Sequence, residues 1–176
     1  MGSADVLFMM IFLEVIECPQ HPGIISMFGK CDPSGISNDR TEAKNKFMKI
    51  LPNCIYNSDA HIQLTQAALL SPEDVAIIFC NSGITKDCIE IAHICHTAKV
   101  PVVFITQFAK TPAAQYSDIL LLCGANEGPM EGGSIANKTA QLFLIDILYA
   151  EVYKKLGERA LENKKKTSKV ITEKMM

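Results

Sequence analysis

The chain lacks any appreciable net charge: its formal balance is −2 at pH 7, with charged residues at 20%. Domains that grip nucleic acid through its phosphates are usually clearly basic, so no direct nucleic-acid binding by this chain is expected. A membrane-length apolar run is also missing. The most hydrophobic stretch, Val6 to Ile16 (VLFMMIFLEVI), is half the roughly 20 residues a span needs, and Glu14 interrupts it. It lacks the basic start and small-residue cleavage site of a secretory signal as well, and reads as a short helix buried in a core or a dimer interface. Regular cysteine spacing is absent. Seven cysteines, an odd number without repeat, read as free thiols of a reducing cytoplasm and not as a disulfide framework. Cys88, His93, Cys95 and His96 lie close enough to raise zinc. On a helix, however, Cys88 and Cys95 share the apolar face with Ile84 and Ile91 while His93 points away, so they read as buried small hydrophobes. No metal and no cofactor are expected.

What is present is an apolar fraction of 48% over 176 residues, enough for one domain with a sizeable core. The chain is organised around Val75 to Asp87, VAIIFCNSGITKD. A continuous apolar run, Val75 to Phe79, breaks into Asn81, Ser82 and Gly83 and flows into a helical pattern near Thr85. That is the signature of one βα unit of a parallel sheet. Its loop then lies at the carboxyl end of a strand, where open α/β sheets bind ligands. Ser82 and Thr85 offer hydroxyl donors, Gly83 permits close backbone approach, and the first helical amides face whatever the loop holds. This chemistry suits an oxyanion, a phosphate ester in particular.

The remaining elements follow in order. After a breaker-rich linker, Ile24 to Phe28 reads as a strand and about Asn38 to Ile50 as a helix. Cys54 to Tyr56 is a short strand, and Ser58 or Asp59 can cap a helix through Leu70. A helix over Thr85 to Ala98 should bury Ile84, Cys88, Ile91 and Cys95. Val102 to Ile105 is a buried strand, Thr111-Pro112 opens a short helix, and Ile119 to Leu122 is a further strand. Strands alternating with helices argue for a parallel, helix-covered sheet of about five strands. From Ser134 a helix runs to about Leu156. Its apolar residues, including Ile135, Leu142, Phe143, Ile145 and Ile147, cover more than one side, which predicts a homodimer packed partly through it. Three parts result: residues 1–23 as N-terminal helix and linker, 24–157 as the domain, and 158–176 as a basic, frayed tail.

One pattern recurs. Ser34-Gly35-Ile36-Ser37-Asn38-Asp39 and Ser82-Gly83-Ile84-Thr85-Lys86-Asp87 share S-G-I-[S/T]-x-D, each after an apolar strand and at the opening of a helix. Good capping and turn residues explain either copy alone. Two copies in the same setting point to a paired anion cradle.

These residues carry a resemblance. N-S-G-I-T after the organising strand, Asp59-Ala60-His61-Ile62-Gln63, and Ala67 to Asp74 resemble the sugar isomerase (SIS) domain. So do Ile105-Thr106 with Thr111-Pro112-Ala113, Ser117-Asp118, and Ala140 to Tyr149. The similarity covers roughly residues 24 to 157 and is strongest to the effector-binding half of RpiR-type transcriptional regulators. It implies an α/β, three-layer, doubly wound flavodoxin-like fold with five parallel strands and helices on both faces. It also implies a phosphosugar whose phosphate is held by Ser34, Ser82 and Thr85, with Gly35, Ser37, Asn81 and Gly83 completing the two loops. Lys138 stands where the regulators usually carry Arg. Three departures are visible. Cys80 replaces the first serine of S-x-S-G-x-T, the first loop lacks its second glycine and carries Lys30 and Asp32, and about 20 residues precede the first strand, too few for a helix-turn-helix domain.

The resemblance leaves two functions open. A phosphosugar sensor needs only the cradle. An aldose–ketose isomerase needs a positioned acid or base as well. Glu127, Glu131 and His61 are the candidates, but no acid–base pair stands out, and a binding module is the favoured expectation.

Overall fold

The computed structural model describes residues 23–29, 39–124 and 135–174. Five strands form one sheet: β1 (Ile25–Gly29), β2 (Cys54–Tyr56), β3 (Val75–Phe79), β4 (Val102–Thr106) and β5 (Ile119–Leu122). Their spatial order is β2-β1-β3-β4-β5, and each neighbouring pair is parallel. The helices are α1 (Asp39–Phe47), α2 (Ala60–Ala68), α3 (Lys86–Thr97), α4 (Ile135–Leu156) and α5 (Glu158–Lys174), with a short 3-10 helix at Pro112–Tyr116. This is the doubly wound, flavodoxin-like arrangement expected.

Continuous apolar strands become central because both of their faces are covered. Every residue of β1, β3 and β4 is buried. Alternation then sorts them into two cores. Ile25, Met27, Val75, Ile77, Phe79, Val103 and Ile105 join Phe47 of α1 and Ile145, Leu148 and Val152 of α4. Phe28, Ala76, Ile78, Val102 and Phe104 join Ala67 of α2 and Cys88, Ile91, Ala92 and Cys95 of α3. Burying one such large side chain contributes about 1.5–3 kcal/mol, so the two cores hold the sheet rigid beneath its loops.

The buried placement of Cys88, Ile91 and Cys95 matches the sequence pattern. Ile84 does not: it is 67% exposed. Helix α3 begins at Lys86 with Thr85 as its N-cap, so Ile84 belongs to the loop and never joins the buried stripe. Helix α1 ends at Phe47, three residues short of expectation, and continues as a turn. The segment after Thr111 is a 3-10 helix in which the Thr111 hydroxyl accepts from Ala113 N.

The charged tail expected to fray is instead helix α5. Gly157, at φ +53, makes the left-handed corner between α4 and α5, a backbone angle that favours glycine. Asn163 Nδ2 then donates to Ile50 O at 2.9 Å and Thr167 Oγ1 to Lys49 O at 3.4 Å, while Ala160 is fully buried. Among the described residues no helix is long and apolar enough to cross a membrane. The expected helix within Val6 to Ile16 lies outside the described residues.

Candidate functional site

In an open parallel sheet, neighbouring loops part where the strand order reverses, leaving a crevice beyond the carboxyl ends. Here the reversal falls between β1 and β3. Gly29 and Phe79 pair in register at the ends of these strands. The chain leaving β3 is Cys80-Asn81-Ser82-Gly83-Ile84-Thr85.

The rear of this loop is fixed to the β4 side. Asn81 O accepts from Gln107 N at 3.0 Å and from Thr106 Oγ1 at 3.2 Å, and Thr111 Oγ1 donates to Gly83 O. Gly83 donates its own N–H to Cys80 O at 3.0 Å, closing a tight turn. Its φ is +67, and a Cβ there would stand 2.8 Å from Thr111 Oγ1, so only glycine fits.

The front of the loop is looser. Ser82 Oγ lies 3.4 Å from Thr85 Oγ1 and accepts from Ile84 N at the same distance. Thr85 occupies the N-cap of α3 with extended backbone angles, yet its hydroxyl takes no capping hydrogen bond. Asn81 Oδ1 is buried with no hydrogen-bond partner among the described residues. Two hydroxyls and the positive end of a 12-residue helix therefore meet in this loop.

Cys80 reports on the field there. Its thiol is brought down to about 5 by the adjacent Cys88 thiol first, then by the Thr85 hydroxyl and amide and the Ser82 hydroxyl, against the opposing effect of burial. Groups expected to receive a phosphate already favour negative charge on sulfur. The Cys80 sulfur lies 4.0 Å from Ser82 Oγ, within this hydrogen-bonding group.

The β1 side carries residues that sequence reasoning missed. Arg40, in the first turn of α1, is only 8% exposed and donates from Nη2 to Phe79 O at 3.3 Å. A Cβ on Gly29 would lie 2.1 Å from Arg40 Nε and 2.7 Å from Phe79 O, so the glycine makes room for the guanidinium. Gln63 of α2 closes the other flank: its Oε1 accepts from Gly29 N, and its Nε2 donates to Gly29 O and Asn57 O. Asn137, 3% exposed in α4, lies against Gly124 at the end of the β5 chain. A signal for Arg40 existed: a cation in the first turn of a helix opposes the macrodipole, so its presence there calls for a reason.

Of the residues singled out from sequence, Asn81, Ser82, Gly83 and Thr85 come together in one loop. Ser34, Gly35, Ser37, Glu127 and Glu131 lie outside the described residues. His61 is exposed in the first turn of α2, with its carbonyl accepting from Thr65 Oγ1. Lys138 is half-buried in the first turn of α4. Among the described residues no cluster of three His, Cys, Asp or Glu side chains could hold a metal ion.

Comparisons with known proteins agree with this geometry. The SIS domain family matches residues 41–151. An uncharacterized HTH-type transcriptional regulator of Haemophilus influenzae is 34% identical over 163 residues, covering 91% of this chain and 54% of the relative. The HTH-type transcriptional regulator RpiR of Escherichia coli is 28% identical over 130 residues, covering 74% of this chain and 44% of the relative. The chain therefore spans about half the length of these curated relatives. Among solved structures, the Vibrio vulnificus NanR protein complexed with ManNAc-6P superimposes with a TM-score of 0.81 at 22% identity, over 98% of this chain and 61% of that one. With the parallel sheet, the serine–threonine loop at its switch point and a match across most of its length, the chain belongs to the SIS domain family.

Proposed function

We propose that this domain binds a sugar phosphate as an effector and forms the sensing part of an RpiR-like transcriptional regulator. The observation that carries the reading is the pair of hydroxyls, Ser82 and Thr85, 3.4 Å apart at the N-terminus of α3, where Thr85 makes no side-chain cap. A phosphate ester placed there receives the hydroxyls and the first helical amides together. The regulator relatives and the sugar-phosphate complex of NanR support the ligand class and its regulatory use.

The domain works as a homodimer through α4. Its inner face buries Ile145, Leu148, Val152 and Leu156, while Ile135, Leu142, Phe143 and Ile147 are 82%, 41%, 67% and 44% exposed on its outer side. An apolar stripe of that extent on one helix suits a self-complementary contact about a two-fold axis. Effector bound near that contact would bias the spacing of attached DNA-binding domains. Phe143→Glu is expected to shift the protein from dimer to monomer in sedimentation equilibrium with little change in melting temperature; an unchanged mass would remove α4 from the interface.

The direct test of the ligand is a thermal-shift panel of sugar phosphates, with ketose formation followed in the same samples. A true ligand at 100-fold excess over its dissociation constant stabilises by ~2.7 kcal/mol. Ser82→Ala and Thr85→Ala are expected to abolish the shift while keeping the unliganded melting temperature near wild type. Normal responses from both would dismiss the loop as the cradle.

A further inference from the structure

We propose that Arg40 is a ligand-binding residue: its guanidinium forms the cationic floor of the β1–β3 crevice and takes the face of a phosphate turned away from the Ser82 loop. The inference deepens the phosphosugar reading and rests on it.

Three observations place the group. Arg40 comes from the first turn of α1, where a cation works against the helix dipole, so local helix stability does not account for it. Its side chain is 92% removed from solvent (8% exposed) yet spans the ends of two strands: Nη2 meets Phe79 O, and Nε occupies the space that Gly29 leaves by having no Cβ. Those two strand ends are the register pair that bounds the switch point. The guanidinium therefore sits against the two strand ends at the switch point.

The chemistry fits the position. The β3 loop offers hydroxyls and amides, which are neutral donors, whereas a phosphate monoester carries close to two negative charges. A guanidinium holds five N–H donors in a planar fork that matches phosphate oxygens. Burial against strand ends sharpens its field relative to a lysine in water.

The test uses inorganic phosphate as the probe. In wild-type protein, the Arg40 side-chain Nε–H resonance and the Ser82 and Thr85 amide resonances are followed by NMR as phosphate is added, with Arg40→Lys assigning the arginine signal. All three are expected to move with one midpoint. Arg40→Gln is expected to weaken phosphate by about 10- to 100-fold, and Arg40→Lys, which keeps the charge without the fork, to fall between. Loop amides that move while the Arg40 signal stays fixed would overturn the inference and leave the phosphosugar reading standing. Equal phosphate affinity in wild type and a folded Arg40→Gln would do the same. Wild-type protein that answers neither phosphate nor any sugar phosphate would overturn both. Because the NMR arm uses unmodified protein, the inference stays testable even where Arg40→Gln does not fold.

Discussion

The two ends of the sheet treat their polar groups differently. At the amino end, carboxylates are tied off. Asp74 Oδ1 accepts from Ile24 N at 2.7 Å, and its Oδ2 accepts from Ser71 N at 2.7 Å and Ser71 Oγ at 2.8 Å. Asp118 Oδ2 likewise accepts from Val102 N at 2.8 Å, at the start of β4. At the carboxyl end, the hydroxyls of Ser82 and Thr85 stand 3.4 Å apart, Asn81 Oδ1 has no partner among the described residues, and Thr85 leaves its helix uncapped. Short bonds with saturated acceptors hold a fold together. Long ones, with capacity to spare, are what a ligand completes.

The largest expected effect tests the closed end. Asp74→Ala strands the Ile24 and Ser71 amides, so stability in urea should fall by about 2–4 kcal/mol. The phosphate response of the folded fraction should not change; a lost response would mean that the two ends are coupled. The Ser82 and Thr85 substitutions are the mirror image, with loss of ligand response at nearly constant stability. A smaller effect comes from Cys80. Its folded acidity, about 5, lies below the ordinary thiol value of 9.0, so its contribution to stability is complete above pH 9 and is lost as pH falls through about 5. Urea melts between those limits should show wild-type stability rising with pH, and Cys80→Ser should flatten the rise. The same variant removes a like charge and adds a hydroxyl, so phosphate should bind a few-fold tighter at neutral pH. An unchanged slope, or weaker phosphate binding, would show that the sulfur is a neutral donor.

Sequence pattern located this fold because buried parallel strands write themselves as unbroken apolar runs. Val75 to Phe79, Cys54 to Tyr56 and Ile119 to Leu122 are strands over those same residues. The loop after β3 was legible for a similar reason: asparagine, serine and glycine between a strand and a helix have few other uses. Gln63 was not legible and Arg40 only as a cation misplaced in a first turn, since what makes them important is which backbone groups they meet 34 and 39 residues away. Charge runs misled for the opposite cause. Lys164 to Lys166 look solvated one by one, but the amphipathic placement of Ala160, Asn163 and Thr167 docks their helix on the α1–β2 turn. Ile84 showed that a repeat of apolar spacing does not reach across a helix cap.

The Gln63 clamp has one more effect. Edge strand β2 pairs with only Ile25, Ser26 and Met27, so the last stretch of β1 runs on past its neighbour. A side-chain carboxamide then stands in for a missing peptide unit, giving Gly29 both an acceptor and a donor. A foreign strand sliding along that margin finds the final rung already taken, which protects the sheet from lateral growth into aggregates.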